Sequence, residues 1–263
     1  MKKLVMILIT CFSALTWSLG AGAMTAGDIV GKANQAAYYQ AEDGRANVHM
    51  VITDSLGRTR ERNMTILRKD DENDIQQKYY VYFDKPNDVK GMSYMVWKNP
   101  GARDDRWLFL PALDLVRRVA SSDKRSSFVG SHFAYEEISG RGSQEDNHVL
   151  EEETDEYYKI KSTPKDPGSV EFSYFVTWID KKTFLPMKAE LYDKNEKHYK
   201  TIEALEVKEI EGFPTITRMM ATNLNSNGNT VSEFSGIKYN VGLEDGIFTE
   251  RFLRRPPRQY LGE

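Results

Sequence analysis

The chain has 263 residues, 40% of them hydrophobic and 29% charged, which is enough for one packed β domain. Its formal net charge is −3 and the charges are mixed along the sequence, so no basic stripe points to nucleic acid. After Met24 no stretch approaches the roughly 20 apolar residues that a spanning helix needs.

Residues 1–23 read as a cleavable bacterial export signal. Lys2 and Lys3 give the positive start, Leu4 to Leu19 the short apolar core, and Ala21-Gly22-Ala23 the small-x-small pattern before a cut after Ala23. The single cysteine, Cys11, falls inside that apolar core. Thr10 stands before it where lipoprotein processing takes Gly, Ala or Ser, so lipidation is not expected. Cleavage leaves residues 24–263 without a thiol, which removes disulfides, thiolate metal sites and cysteine nucleophiles together. The 36 basic residues less Lys2 and Lys3 leave 34 against 39 acidic ones, a net −5.

Thr25 and Asp28 form a capping-box pair ahead of Ile29, Val30, Ala33, Ala36 and Ala37, which share one face at helical spacing. After Gly44 the period drops to two. Val48, Met50 and Ile52 alternate, the turn Asp54-Ser55-Leu56-Gly57 follows, and Met64 and Ile66 lie on the return strand. Tyr79, Val81 and Phe83 repeat the pattern, as do Val170, Phe172, Tyr174, Val176 and Trp178. Further strands are marked by Met187 to Leu191, Thr201 to Ile210, Ile216 to Met220 and Val231 to Tyr239. Asp193-Lys194-Asn195, Glu211-Gly212 and Asn227-Gly228 supply the turns between them. Such spacing predicts an antiparallel meander, as a barrel or part of one. Lys165-Asp166-Pro167-Gly168 is a candidate loop between two halves of that sheet.

One region breaks the alternation. Trp107-Leu108-Phe109-Leu110 is apolar on both faces, and Pro111 interrupts it. Leu113, Leu115, Val116 and Val119 surround the pair Arg117-Arg118. A polar stretch, Ser121 to Ser127, leads to Phe128, Gly130, Phe133, Tyr135 and the pair Glu136-Glu137. Two readings stand: a lid or partner-docking element built on Arg117, Arg118, Phe128, Phe133, Glu136 and Glu137, or a covered strand followed by a packed connection. On the first reading the opposite charges of the two pairs latch the loop.

Enzyme chemistry is weakly supported. Neither Gly-x-Ser-x-Gly nor His-Glu-x-x-His occurs, and His49, His132, His148 and His198 lack ligand spacing, so neither metal nor cofactor is expected. Ser131-His132 near Glu136 and Glu137 is the one nucleophile-base cluster, but adjacent residues point apart on a strand. The chain reads as a non-enzyme. Methionines such as Met50, Met64, Met92, Met95, Met187, Met219 and Met220 suit a cavity for a flexible apolar ligand, and suit a plain core equally.

Asp105 to Leu113, then Val116-Arg117-Arg118-Val119 and Ser121 to Lys124, resemble the bacterial outer-membrane lipoprotein-sorting protein family of the LolA/LolB-like superfamily. The likeness continues through Phe128 to Glu137, where the family more often ends in Glu-Asp, and through Trp178-Ile179-Asp180, Leu185 to Lys188, Leu191 to Asp193 and Phe248-Thr249. The resemblance implies a mainly β fold, an incomplete antiparallel barrel covered by helices and loops. It implies a soluble periplasmic carrier of lipid or lipoprotein acyl chains, working beside an inner-membrane transporter of the resistance-nodulation-division class. The alternative is an accessory subunit docked on such a transporter without cargo. Taking the larger apolar set of each strand as the inner one, the acyl-chain cavity is expected at Met50, Ile52, Met64, Ile66, Tyr79, Val81, Phe83, Trp107, Phe109, Tyr174, Val176 and Trp178.

Overall fold

The structure is a computed structural model that describes residues 24–70, 76–99 and 101–262; the expected export signal lies outside them. Its first element is helix α1 (Ala26–Tyr38), which starts where the sequence requires: Asp28 N–H donates to the Thr25 hydroxyl, and Thr25 N–H donates back to the Asp28 carboxylate at 3.0 Å.

Among the described residues thirteen strands form one antiparallel sheet. Six come first: β1 (Asp43–Thr53), β2 (Thr59–Asp70), β3 (Gln77–Lys85), β4 (Ser93–Lys98), β5 (Asp105–Leu110) and β6 (Leu115–Arg118). Seven follow: β7 (Asp146–Glu153), β8 (Tyr157–Pro164), β9 (Phe172–Asp180), β10 (Pro186–Asp193), β11 (His198–Ile210), β12 (Phe213–Asn223) and β13 (Gly228–Tyr239). The order across the sheet is β6-β5-β4-β3-β2-β1-β13-β12-β11-β10-β9-β8-β7. Each half is therefore a meander, and the halves join where β1 pairs with β13, from Gly44 opposite Tyr239 to Thr53 opposite Asn229. The sheet is open, with β6 and β7 as its two edges.

That order forces a long crossover. The chain leaves edge strand β6 and enters edge strand β7 through residues 119–145, which include the short helix α2 (Tyr135–Ser139). The expected junction at Lys165–Gly168 is instead the local turn between neighbouring β8 and β9, with a 3-10 turn at Pro167–Ser169. At the β11–β12 hairpin, Glu211 (φ 51°) and Gly212 (φ 87°) both take the left-handed conformation that a two-residue turn of this twist requires.

The crossover and α1 cover one face of the sheet, called here the inner face. Under the crossover, Val48, Met50, Ile52, Met64, Val81, Phe83, Tyr94, Val96 and Leu108 form a core with Phe128, Phe133 and Tyr135. Ile29 and Ala33 of α1 pack on Tyr158, Ile160 and Ile179 farther along the same face. The outer face of β2–β5 is covered by the C-terminal segment with helix α3 (Glu250–Arg254). Leu67, Tyr80, Met95 and Phe109 meet Leu243, Phe248, Leu253 and Leu261 there. Hydrogen bonds fix this strap to the strands: Tyr80 Oη donates to Phe252 O at 2.8 Å, Ser93 Oγ to Leu253 O at 2.7 Å, and Trp97 Nε1 to Phe248 O at 3.0 Å.

Candidate functional site: an apolar groove under α1 and the crossover

Phe128 and Tyr135 plug one half of the inner face. Val129 (φ 44°) and Gly130 (φ 80°) turn the chain so that Phe128 N–H donates to Phe133 O at 2.8 Å, which drives the Phe128 ring into the sheet. Its centroid lies 5.7 Å from Phe83, 5.6 Å from Tyr94 and 5.3 Å from Tyr135, spacings favourable for edge and tilted aromatic pairs. Ile52, Val81 and Phe83 are consumed by this packing.

Between the plug and α1 the inner face stays unfilled. A cavity of about 420 Å³ runs there, within the roughly 300–1,000 Å³ range of small-molecule sites. Its floor comes from the middle of the sheet, with Val48, Met50, Met64, Ile66 and Tyr79 on one side and Phe175, Ile202, Met219 and Phe234 on the other. Its walls are Val30, Ala33 and Ala37 of α1 and Phe133 and Ile138 of the crossover. Small residues on α1 leave room where larger ones would close it.

Both walls are anchored by buried polar contacts. Arg68 donates to the carbonyls of Tyr38 and Gln40 at the C-terminal end of α1, and pairs with Asp70 at 3.4 Å. A cation at a helix C-terminus is favourable because the last carbonyls carry partial negative charge. Gly140 (φ 78°) lets the crossover meet α1, since a Cβ there would stand 2.8 Å from the Tyr38 ring. Burial pushes the Tyr38 phenol up to about 12.

The crossover is tied to the sheet by ion pairs. Lys200 Nζ of β11 donates to Glu137 Oε2 at 2.5 Å, Arg125 to Glu137 Oε1 at 2.9 Å and to Glu171 at 2.8 Å. Glu136 is held by Lys124 at 2.7 Å and by Arg141 at 3.3 Å. Burial acts to raise the Glu137 carboxyl, but Lys200 and Arg125 outweigh it and bring it down to about 2. These contacts stand in place of the latch between Arg117-Arg118 and Glu136-Glu137 that one of the two readings offered. The two arginines belong to edge strand β6, and Arg118 instead pairs with Asp105 and lies over the Trp107 ring. Phe128 and Phe133, read as lid residues, are buried.

The cavity set needs correction on two strands. Of the twelve residues expected there, Met50, Met64, Ile66 and Tyr79 line the groove, and Ile52, Val81 and Phe83 share its face under the plug. Trp107 and Phe109 point to the outer face, where the C-terminal strap covers them. Tyr174, Val176 and Trp178 also point outward. Tyr174 stacks on Tyr192 at 4.5 Å, and Trp178 lies beneath Lys159 and Lys188 at 5.6 and 5.0 Å. From β9 the groove takes Phe175, Thr177 and Ile179. Both faces of β5 and β9 are apolar, so choosing the larger set picks the wrong one. Ile202 of β11, Phe234 of β13 and the α1 wall lay outside the expected set, while Met219 of β12 stood only among the methionines suited to a cavity; a register shift between Ala204 and Glu206 breaks the parity of β11.

The Ser131-His132 cluster is not arranged as a relay. Ser131 Oγ accepts from Phe133 N–H at 3.2 Å, while His132 Nδ1 lies 2.8 Å from Thr230 Oγ1. His132 also packs on Gly228, where a Cβ would stand 2.5 Å from Nε2. Among the described residues no group of His, Cys, Asp and Glu is placed to hold a metal ion, and no helix is long and apolar enough to cross a membrane.

Comparison with known proteins finds the same fold. A DUF1329-family protein from Desulfovibrio piger is 29% identical and superposes with a TM-score of 0.80, covering 87% of this chain and 97% of its own. An outer-membrane lipoprotein-sorting protein domain from Vibrio parahaemolyticus is 27% identical with a TM-score of 0.79, covering 88% and 98%. A LolA-superfamily protein from Nitrosomonas europaea, 24% identical over 88% of this chain and 100% of its own with a TM-score of 0.69, shares the fold. No protein among those of curated function matches. A family model described as uncharacterized-protein-like covers residues 75–255, and the chain belongs to that family, the DUF1329 family, whose fold is that of the LolA-like lipoprotein-sorting proteins.

Proposed function

We propose that the protein is a carrier of acyl chains, belonging to a lipid or to a lipoprotein, which it holds in the groove between α1 and the crossover. The observation that carries this reading is an apolar cavity of about 420 Å³ kept open on the inner face, on a fold shared with lipoprotein-sorting proteins. Each methylene transferred from water contributes about 0.8 kcal/mol, so a sixteen-carbon chain loses on the order of 12 kcal/mol when exposed. A groove that shields the chain lowers that barrier without any chemistry, and the protein acts as a non-enzyme. In this reading the chain is cleaved after Ala23, works in the periplasm, receives cargo from an inner-membrane transporter of the resistance-nodulation-division class and passes it outward. Similarity to an outer-membrane lipoprotein-sorting protein domain supports the carrier role; the transporter, the direction and the cleavage site are part of the proposal.

The test fills the groove. Ile202→Trp, combined with Ala204→Phe, should reduce binding of a fluorescent fatty acid more than about tenfold while leaving the thermal midpoint within a few degrees. Unchanged binding by a folded variant would refute carriage in this groove. A second reading, docking without cargo, is favoured by the turn after β5, where Leu113 is 69% exposed and Leu115 44% exposed close to Arg117 and Arg118. Cross-linking from Leu113 to a membrane partner that persists in the filled variant would support it.

A further inference from the structure

A second cavity, of about 650 Å³, lies on the other side of α1 and the crossover and differs in chemistry from the groove. Six basic side chains reach it: Lys98, Arg103 and Arg106 from the β4–β5 hairpin, Lys124 and Arg141 from the crossover, and Lys165 from the β8–β9 turn. Three acidic residues, Asp104, Glu145 and Asp166, also line it. Glu136 pairs with Lys124 and Asp146 with Arg141, so the cations left without an ion pair among those of the described residues that line the cavity are Arg103 and Lys165 on its rim.

Several of these donors are not saturated. Arg106 is 4% exposed and donates an Nη2 hydrogen to Asp104, yet its Nε is buried without an acceptor. Ser139 is 2% exposed and its hydroxyl has no partner. Lys98 Nζ meets Gly140 O at 2.6 Å and Asp104 at 3.2 Å, two acceptors for three hydrogens. Buried unpaired donors are costly, and two of them on side chains of the cavity's lining, beside the incompletely paired Lys98 ammonium, mark the wall where an acceptor would be favourable. Burial also lowers the Lys98 pKa, a cost that a nearby anion offsets.

The two cavities touch. Asn34, Arg141 and Gly142 line both, so the groove opens beside the polar cavity. Resting on the carrier reading above, we infer that the cargo is an anionic amphiphile whose oxyanion head group, such as a phosphodiester, occupies the polar cavity while its acyl part fills the groove.

The test compares ligands that share one chain, titrated below their micellar concentrations into the full protein: monopalmitoyl phosphatidylglycerol, monopalmitoylglycerol, and glycerol phosphate without a chain. The anionic lipid should bind at least about tenfold tighter than the neutral one, as two or more charge-assisted hydrogen bonds provide. The rim variant Arg103→Glu/Lys165→Glu, whose positions are exposed and leave the buried pairs intact, should bring it below about threefold without altering the neutral lipid's affinity. Equal affinities for both lipids would overturn the head-group assignment and leave the carrier reading standing. Binding of neither lipid would overturn both. Glycerol phosphate binding as tightly as the anionic lipid would make the cavity a free-anion site and overturn the coupling between the two.

Discussion

Replacing Glu137 by glutamine tests whether the crossover is held by charge. Its carboxyl, lowered from 4.5 to about 2, is the group that joins α2 to Lys200 of β11 and to Arg125. At about 1.4 kcal/mol per pH unit, that difference is worth about 3 kcal/mol of folding stability at neutral pH. The folded value lies below the unfolded one, so this contribution is present in full above about pH 4.5 and fades as pH falls toward 2. About 1 kcal/mol of it remains at pH 3. Glu137→Gln leaves Lys200 and Arg125 buried beside a neutral amide, and loss of one partner from a buried pair typically costs about 3–5 kcal/mol. Urea unfolding followed by tryptophan fluorescence should place the variant about 3 kcal/mol below the parent at pH 7, with the gap narrowing to about 1 kcal/mol at pH 3. A gap under about 1 kcal/mol at pH 7, or one constant down to pH 3, would refute the ion-pair tether.

Other substitutions probe the plug, the close approach and the assignment of faces. Phe128→Ala removes the ring that packs on Phe83, Tyr94 and Tyr135, and should cost about 3–5 kcal/mol in chemical unfolding. Gly228→Ala sets a Cβ 2.5 Å from His132 Nε2 and 2.9 Å from Thr53 O, and should destabilise by about 1–3 kcal/mol; His132→Ala in the same chain should recover only part of that, because the Thr53 carbonyl still clashes. Trp178→Ala, on the outer face under Lys159 and Lys188, should leave fatty-acid affinity within about twofold in a fluorescence titration, whereas an inner-face position on the same strand should change it much more.

Local chemistry in the sequence was readable wherever a short-range rule applied. The Thr25–Asp28 capping box opens α1 as expected, and the alternation of Val48, Met50 and Ile52 against Met64 and Ile66 marks the β1–β2 hairpin and its inner face. Four strands escaped notice: β4 is a short, nearly continuous apolar run, β6 spans four residues that include Arg117-Arg118, β7 runs into Glu151-Glu152-Glu153, and β8 was passed over although Tyr158 and Ile160 alternate with Lys159 and Lys161. Sheet order was not legible, because neighbours in the sequence say nothing of the β1–β13 pairing that joins the halves. Nor was the path of residues 119–145 across the inner face. The partners of Glu137 come from residue 125 and from residue 200, a distance in sequence that only the folded topology closes. Lysines over Tyr174 and Trp178 let aromatic residues sit on an outer face, which defeats any rule equating large apolar side chains with the interior.

Photocross-linking with a palmitic acid that carries a diazirine along its chain tests the central claim most directly. Mapping the labelled peptides by mass spectrometry should place the adducts on inner-face residues such as Ile66, Phe175, Ile202, Met219 and Phe234, together with the Val30 to Ala37 face of α1. Labelling of outer-face peptides at Tyr174, Trp178 or Trp107, at a level matching the inner face, would contradict the groove as the site of carriage.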